Sequence, residues 1–304
     1  MSDKPEEPVI RTDVMRGEFS PSGVEAARCF RRFYYQKILG LKPKVTPTAL
    51  MFGVAIHSAV EKFYELHGSG LNHEEVKLAT VQTFVEEWNK TGLVGDMKRN
   101  LETGILIMNN YCDTYRHDSA DFKKEDIESA QWMPMPNGTT LLVKMDRVLN
   151  NGNMIILVDT KTTSMPITEW YFRQFENHLP TSLYAYVVAE LLGHCDQVQI
   201  DAIKVPPPPA TSKTAAFGRN SFIRTDLQIQ DAINSYSSIT NYIMNVLNNK
   251  PEEEWVNYFY CNQAECDKYG GCSFLPICKH GLDHPSVLVD FDQSEPRRKS
   301  EVKV

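Results

Sequence analysis

The sequence predicts an α/β fold: a central mixed sheet flanked by helices, with a helical N-terminal elaboration and a C-terminal cysteine segment. Three observations carry this expectation. Apolar residues at helical spacing fill the first part of the chain. After Lys124 come three strand-like runs, IESAQWMPM, TTLLVKMDRVL and MIILVDTKTT, separated by the hairpin signals Asn137-Gly138 and Asn150-Asn151-Gly152. A helix, a further strand and a long helix then precede a stretch crowded with cysteine.

Composition allows a sizeable core. The chain has 304 residues, 42% hydrophobic and 23% charged, ordinary values for a soluble globular protein. No uncharged stretch reaches the roughly 20 apolar residues that span a bilayer, so no membrane role is expected. The opening MSDKPEEPVIRTD is polar and acidic and does not read as a secretory signal, so a cytoplasmic location is expected. A net charge of -7 lacks the basic footprint of many nucleic-acid binders, although a basic groove can be local. Four of the seven cysteines, Cys261, Cys266, Cys272 and Cys278, share one short stretch, with Cys29 near the start and Cys112 and Cys195 scattered. In a reducing compartment such clustering reads as metal ligation.

Residues 1–19 read as a flexible polar leader. Residues 20–285 read as one domain, with a helical part (20–124), a core (125–250) and a cysteine segment (251–285), and residues 286–304 as a disordered tail. SPSGVEAARCFRRFYYQKIL reads as one helix capped by Ser20 or Ser22. In the second helix Phe52, Ala55, Ile56, Ala59, Val60 and Phe63 keep helical spacing, and Gly68 reads as its stop. Two more helices are expected over Asn72 to Lys90 and Lys98 to Tyr115. Later elements are a helix at Thr181 to Leu192, the strand QVQIDAIKV, a proline break followed by loop to Phe217, and a helix from Leu227 to Leu247.

The strongest chemical signal is ILVDTKTTS. Asp159 and Lys161, two apart on a strand, share a face. The apolar run before them marks a buried central strand, where charge needs a partner. A divalent cation would supply one for Asp159, while Lys161 could orient or deprotonate a water or stabilise charge on phosphorus. Taken alone, the pair reads as a strand-end ion pair. Asp146 on the preceding strand changes that, because a hairpin could bring both carboxylates to one Mg²⁺. His57 and Glu61, four apart on the second helix, share a face, and either could complete a metal shell. The cysteine stretch is too short to build its own core, so a metal staple is sensible. Four thiolates suit zinc or an iron–sulfur cluster. Arg28, Arg31 and Arg32, interleaved with Phe33, Tyr34 and Tyr35, suit phosphate contact and base stacking, or equally a helix with a basic outer face. Lys204, Lys213, Arg219 and Arg224 form a second basic candidate.

Together these motifs resemble the PD-(D/E)xK nucleases of RecB and AddB type, which include CRISPR-adaptation nucleases and phage exonucleases. SPSGVEAARCFRRFYYQKILGL resembles their opening helix, GVAIHSAVEKF their G-x-x-x-H helix, and VKMDRVL with ILVDTKTTS their metal-binding strands, over roughly Ser20 to Cys278. The resemblance implies a PD-(D/E)xK, restriction-endonuclease-like core. It implies His57, Asp146, Asp159 and the Thr160 carbonyl as ligands of Mg²⁺ or Mn²⁺, Lys161 as the catalytic lysine and Glu128 as a supporting carboxylate. It also implies a 4Fe-4S cluster on Cys29, Cys266, Cys272 and Cys278, with Cys261 a rival ligand and zinc the alternative. One departure stands out. The family's Gln is replaced by Pro180 or Ser182, although Tyr184 and Tyr186, candidate DNA contacts beside Arg28, Arg31 and Arg32, are present. The expected function is metal-dependent DNA hydrolysis, more as exonuclease than endonuclease, in recombination, repair or processing. DNA is the expected partner, alongside a helicase, annealing protein or other recombination factor. The alternative is a weak or inactive nuclease fold that binds DNA or serves a structural role.

Overall fold

The computed structural model describes residues 12–67, 69–118, 123–124, 131–207, 216–268, 271–282 and 284–293. Where the sequence suggests one domain, the chain gathers into two compact units. The first takes described residues of Met1–Val45, Ser129–Val143 and Gln230–Val304, and the second those of Thr46–Glu128 and Lys144–Ile229. In chain order the elements begin with α1 (Thr12–Met15), β1 (Glu18–Phe19), α2 (Pro21–Ala26), α3 (Phe30–Phe33), a π-helical turn (Tyr34–Ile38) and β2 (Leu41–Pro43). Next come α4 (Thr48–Leu66), α5 (His73–Lys90), α6 (Leu101–Thr114), β3 (Lys123–Lys124), β4 (Gln131–Pro134) and β5 (Thr140–Val143). Then follow β6 (Arg147–Asn150), β7 (Ile155–Thr163), α7 (Glu169–Arg173), α8 (Leu179–Leu192), β8 (Gln197–Lys204) and β9 (Phe217–Phe222). The chain closes with α9 (Asp226–Asn249), α10 (Trp255–Tyr258), α11 (Leu275–His280), α12 (Pro285–Asp290) and β10 (Phe291–Gln293). The architecture is mixed α/β, as the sequence predicts.

The second unit is built on a five-stranded sheet of order β3-β6-β7-β8-β9. All its pairs are antiparallel except β7 with β8. A parallel pair requires a crossover, which α7 and α8 supply. Residues Ile155 to Thr160 of β7 are all buried, which explains their nearly continuous apolar run. On α4 the six residues read as its core face are each exposed by 1% or less, packed with Val76, Phe84, Trp88, Ile107, Met108 and Tyr111 of α5 and α6. Each large apolar side chain so buried contributes about 1.5–3 kcal/mol. A capping box between Asn72 and Glu75 starts α5. Gly104 lets α6 lie on the Phe84 ring, since a Cβ there would come within 1.8 Å of it.

A polar network is buried in the same unit. Asp201 Oδ2 accepts from Tyr111 Oη at 2.6 Å, Arg219 Nη2 at 3.1 Å and Arg147 Nη2 at 3.3 Å. Arg219 Nη1 reaches Asp118 at 2.6 Å, and the Tyr64 hydroxyl donates to the same carboxylate at 2.5 Å. The two guanidiniums lie 3.7 Å and 3.6 Å over the Tyr64 and Tyr115 rings. Burial pushes the Tyr64 phenol up to about 12, so it stays a neutral donor. Two arginines and two aspartates balance in charge, the condition under which buried ions are tolerated.

The first unit holds a three-stranded sheet, β1-β5-β4, and a two-stranded ladder, β10-β2. Gly138, at φ 81°, turns β4 into β5 as the Asn-Gly signal predicts. Phe30, Phe33 and Tyr34 pack on Phe259.

Several expectations need correction. Within the expected leader, Glu18 and Phe19 pair with β5 and Phe19 is buried. The opening helix is three pieces: Ser20 caps α2, and Cys29 is extended between α2 and α3. There the Arg31 amide bonds to the Tyr260 carbonyl, and its guanidinium to those of Phe259 and Val256 at 2.7 and 2.8 Å. TTLLVKMDRVL is two strands in two different sheets, broken over Lys144 to Asp146. Phe217–Phe222 is an added strand, paired with β8 despite its weak strand formers Gly218 and Asn220. Within the tail expected from 286, Pro285–Asp290 is helical and Phe291–Gln293 pairs with β2. Gly68, the expected stop of α4, lies outside the described residues.

Candidate active site

The site grows from the β6–β7 hairpin. Arg147 pairs with Val158, so Asp146, one residue before β6, falls opposite Asp159. The Thr160 amide donates to Asp146 Oδ2 at 2.9 Å. Lys161 Nζ lies 2.7 Å from both carboxylate oxygens of Asp159 and hydrogen-bonds Oδ1. Asp159 Oδ2 is buried, and Lys161 Nζ meets it as an ion-pair contact outside hydrogen-bond geometry. From α4, His57 Nδ1 approaches Asp146 Oδ2 to 3.4 Å. Gly53, one turn before His57, explains that approach: a Cβ there would lie 3.3 Å from Thr162 Oγ1, so glycine lets α4 lie close to β7. The hairpin and α4 thus bring together His57, Asp146, Asp159, Thr160 and Lys161.

Electrostatics at the site are tightly linked. Burial pushes the Asp146 carboxyl up, but the hydrogen bond and charge of His57, with Lys161 and the Thr160 amide, bring it down to about 2. Burial pushes Asp159 up against the pull of Lys161, and the Asp146 charge adds to the push. Burial alone would lower Lys161; Asp159 and Asp146 outweigh it and raise it, and Tyr184 adds to the rise. Lys161 is therefore a fixed cation here.

His57, Asp146, Thr160 and Lys161 line a cleft of about 410 Å³, and Asp159 is buried behind them. One wall is an α4 stripe, Ala49, Leu50, Gly53, Val54, His57, Ser58 and Glu61; the facing wall includes Lys144, Asp146, Thr160 and Lys161. Lys144, Leu50 and Val54 line the cleft but were passed over by motif reading, whereas Gly53 is the glycine of the G-x-x-x-H helix. Spacing alone could have found the first three, since Lys144 is two residues before Asp146 and the other two share the His57 face. Glu128 lies outside the described residues. Tyr184 is near enough to act on Lys161, whereas Tyr186, two residues on along α8, is raised by burial and then by Glu190. Ser182 and Pro180 are buried. Gln174 caps α7 and donates to the Tyr171 carbonyl at 2.8 Å.

Among the described residues no three His, Cys, Asp or Glu side chains are arranged to close on a metal ion. What the hairpin and α4 offer is the donor set: two carboxylates side by side and an imidazole 3.4 Å from one of them. Such oxygen-rich donors suit Mg²⁺ or Mn²⁺.

In the first unit Cys29, Cys261, Cys266, Cys272 and Cys278 line one small cavity with Arg32, Phe274 and Leu275. The Asn262 amide donates to Cys29 Sγ at 3.4 Å, and the Cys272 amide to the Cys266 carbonyl at 2.7 Å. Burial, then the neighbouring Cys29 and Cys266, push the Cys261 thiol up to about 12. Cys112 is buried among α5 and α6, and Cys195 precedes β8.

The basic candidates divide. Arg31 is occupied by backbone carbonyls, Arg28 pairs with Glu25 at 3.1 Å, and Arg32 lines both the cysteine cavity and an adjoining groove. In the second candidate, Arg219 belongs to the buried network, and Arg224 is buried against the Phe175 and Glu176 carbonyls. Both guanidiniums are taken up by acceptors inside the second unit. Lys204 bonds to the Ser164 carbonyl, and Lys213 lies outside the described residues.

The profile of the PD-(D/E)XK nuclease superfamily matches residues 18–279. No curated protein matches the chain. Among solved structures, a candidate exonuclease from Eubacterium rectale superposes with a TM-score of 0.53 at 14% identity, over 83% of this chain and 89% of that one. The protein SSO0001 aligns with a TM-score of 0.37 at 14% identity, over 88% of each chain. The chain belongs to the PD-(D/E)XK nuclease superfamily.

Proposed function

We propose that this nuclease is a Mg²⁺- or Mn²⁺-dependent deoxyribonuclease of RecB-like type, acting as an exonuclease in DNA recombination, repair or processing beside a helicase or annealing factor. The observation that carries the reading is the hairpin on which Asp146 and Asp159 fall side by side, with Lys161 on Asp159 and His57 on Asp146. Asp146, Asp159, His57 and the Thr160 carbonyl would hold the ion. When bound, it supplies Lewis-acid polarisation of the phosphate and a water of lowered pKa. This chain's own residues do the rest. Lys161, held protonated, presents a fixed positive charge where charge develops on phosphorus. The Thr160 amide and His57 keep Asp146 ionised. The exonuclease mode rests on analogy with the name of the Eubacterium rectale protein. Chelator-sensitive release of nucleotides from end-labelled linear DNA, with closed circular DNA spared, tests the reading. Cleavage of the circle would replace exonuclease with endonuclease.

We further propose that the five-cysteine cavity holds a 4Fe-4S cluster, on Cys29, Cys266, Cys272 and Cys278. The reading is supported by residue chemistry: five soft sulfurs line one cavity with the apolar Phe274 and Leu275, the ligand type that iron–sulfur clusters take. Metal analysis of protein purified without oxygen should find about four irons per chain, with brown colour lost in Cys29→Ser. Zinc without iron would replace the cluster and leave the nuclease reading untouched.

A further inference from the structure

We infer that the cleft takes a single unpaired nucleotide, its base lying on an apolar shelf formed by Leu50 and Val54, so that single-stranded DNA is the preferred substrate. This deepens the nuclease reading and rests on it. Leu50 and Val54 are 59% and 49% exposed, although both belong to a helix whose opposite face is fully packed. They are on the cleft wall with Ala49, one to three turns before His57 and Glu61. That stripe is thus apolar at one end and ligand-bearing at the other. Across from it, Lys144 is exposed and Lys161 half-buried, while the third cation of the lining, Arg147, is sunk into the buried network.

This division of chemistry matches a nucleotide. A base has an apolar face that gains from contact with an apolar surface, and its phosphate needs one or two cations beside the metal-ligating carboxylates. A duplex makes different demands. It carries two charged backbones and is held chiefly by several lysines and arginines along them, but this cleft lines up two accessible lysines against Asp146 and Glu61. A volume of about 410 Å³ is that of a small-molecule site. Admitting a base pair would require the partner strand to leave, so a paired end has to fray before it can be cut.

The test is steady-state kinetics of the full chain with Mn²⁺ on four substrates: a DNA strand, its blunt duplex, the same strand with base-free residues at its end, and the RNA strand. The single strand should be cut at least about tenfold more efficiently than the duplex. The base-free end should lose at least about fivefold, the low end of the range for one stacked base. The double variant Leu50→Ser/Val54→Ser should raise KM about tenfold on the intact strand and leave the base-free strand unchanged. Leu78→Ser, an equally exposed leucine on α5, should match wild type on all four. Equal rates on strand and duplex, or on intact and base-free ends, would overturn the inference while the nuclease reading stands. Faster cutting of RNA would overturn its assignment to DNA. If no substrate is hydrolysed, the inference and the nuclease reading fall together.

Discussion

Replacing Asp201 with alanine tests the frame that holds the cleft. Asp201 is completely buried, and its Oδ2 accepts from Tyr111, Arg219 and Arg147. Arg219 keeps a second carboxylate, Asp118, at 2.6 Å. Arg147, 2% exposed, would lose the carboxylate of its 3.3 Å ion pair. Removing one partner of a buried pair leaves an uncompensated charge and costs about 3–5 kcal/mol. The exposed midpoint shift is about 2–4 °C per kcal/mol for a unit of this size, so Tm should fall by about 6–20 °C. Urea unfolding should show the same loss in midpoint with an unchanged slope. Asp201→Asn should fall between wild type and alanine, because it keeps an acceptor but loses the charge. A loss below about 1 kcal/mol for Asp201→Ala would refute the reasoning, since it would mean that Arg147 reaches water.

Other outcomes follow from the same geometry. Gly53→Val should lower kcat by up to about a hundredfold with the fold retained, because pushing α4 off Thr162 displaces His57; rates on a single DNA strand check this. His57→Ala should weaken Mn²⁺ binding in calorimetric titration, and unchanged affinity would leave His57 a plain partner of Asp146. Burial raises the Asp118 carboxyl, but Arg219 and Tyr64 bring it below its ordinary value. A lowered carboxylate adds stability that is complete above its unfolded pKa, about 3.9, and lost as pH falls through the folded one. Asp118→Asn should therefore flatten the acid limb of a stability–pH curve.

Much of this was legible where the determinants are local. The α4 core face follows from strict helical spacing of large apolar residues, and all six are buried. The Asp159–Lys161 pair stands out because an apolar run ends on two charges, and the Asn-Gly and Asn-Asn-Gly turns mark their hairpins. Other features depend on partners distant in sequence. TTLLVKMDRVL reads as one strand because nothing inside it says that β5 and β6 join different sheets. The break at Cys29 is stabilised by Arg31 bonding carbonyls more than two hundred residues away. Arg219 and Arg224 look like free cations until Asp118, Asp201 and the Phe175 and Glu176 carbonyls are seen around them. The exposed Leu50 and Val54 interrupt no pattern, so only the cleft reveals them.

The central claim is that Asp146, Asp159 and Lys161 form one hydrolytic centre. The most direct measurement is degradation of end-labelled linear DNA with Mg²⁺ or Mn²⁺ by wild type, Asp159→Asn and Lys161→Met, each checked for an unchanged circular dichroism spectrum. The account predicts chelator-sensitive hydrolysis by wild type and a loss of at least about a hundredfold in each variant, the scale set by removing one charge-stabilising group. Hydrolysis at wild-type rates by both folded variants would contradict it.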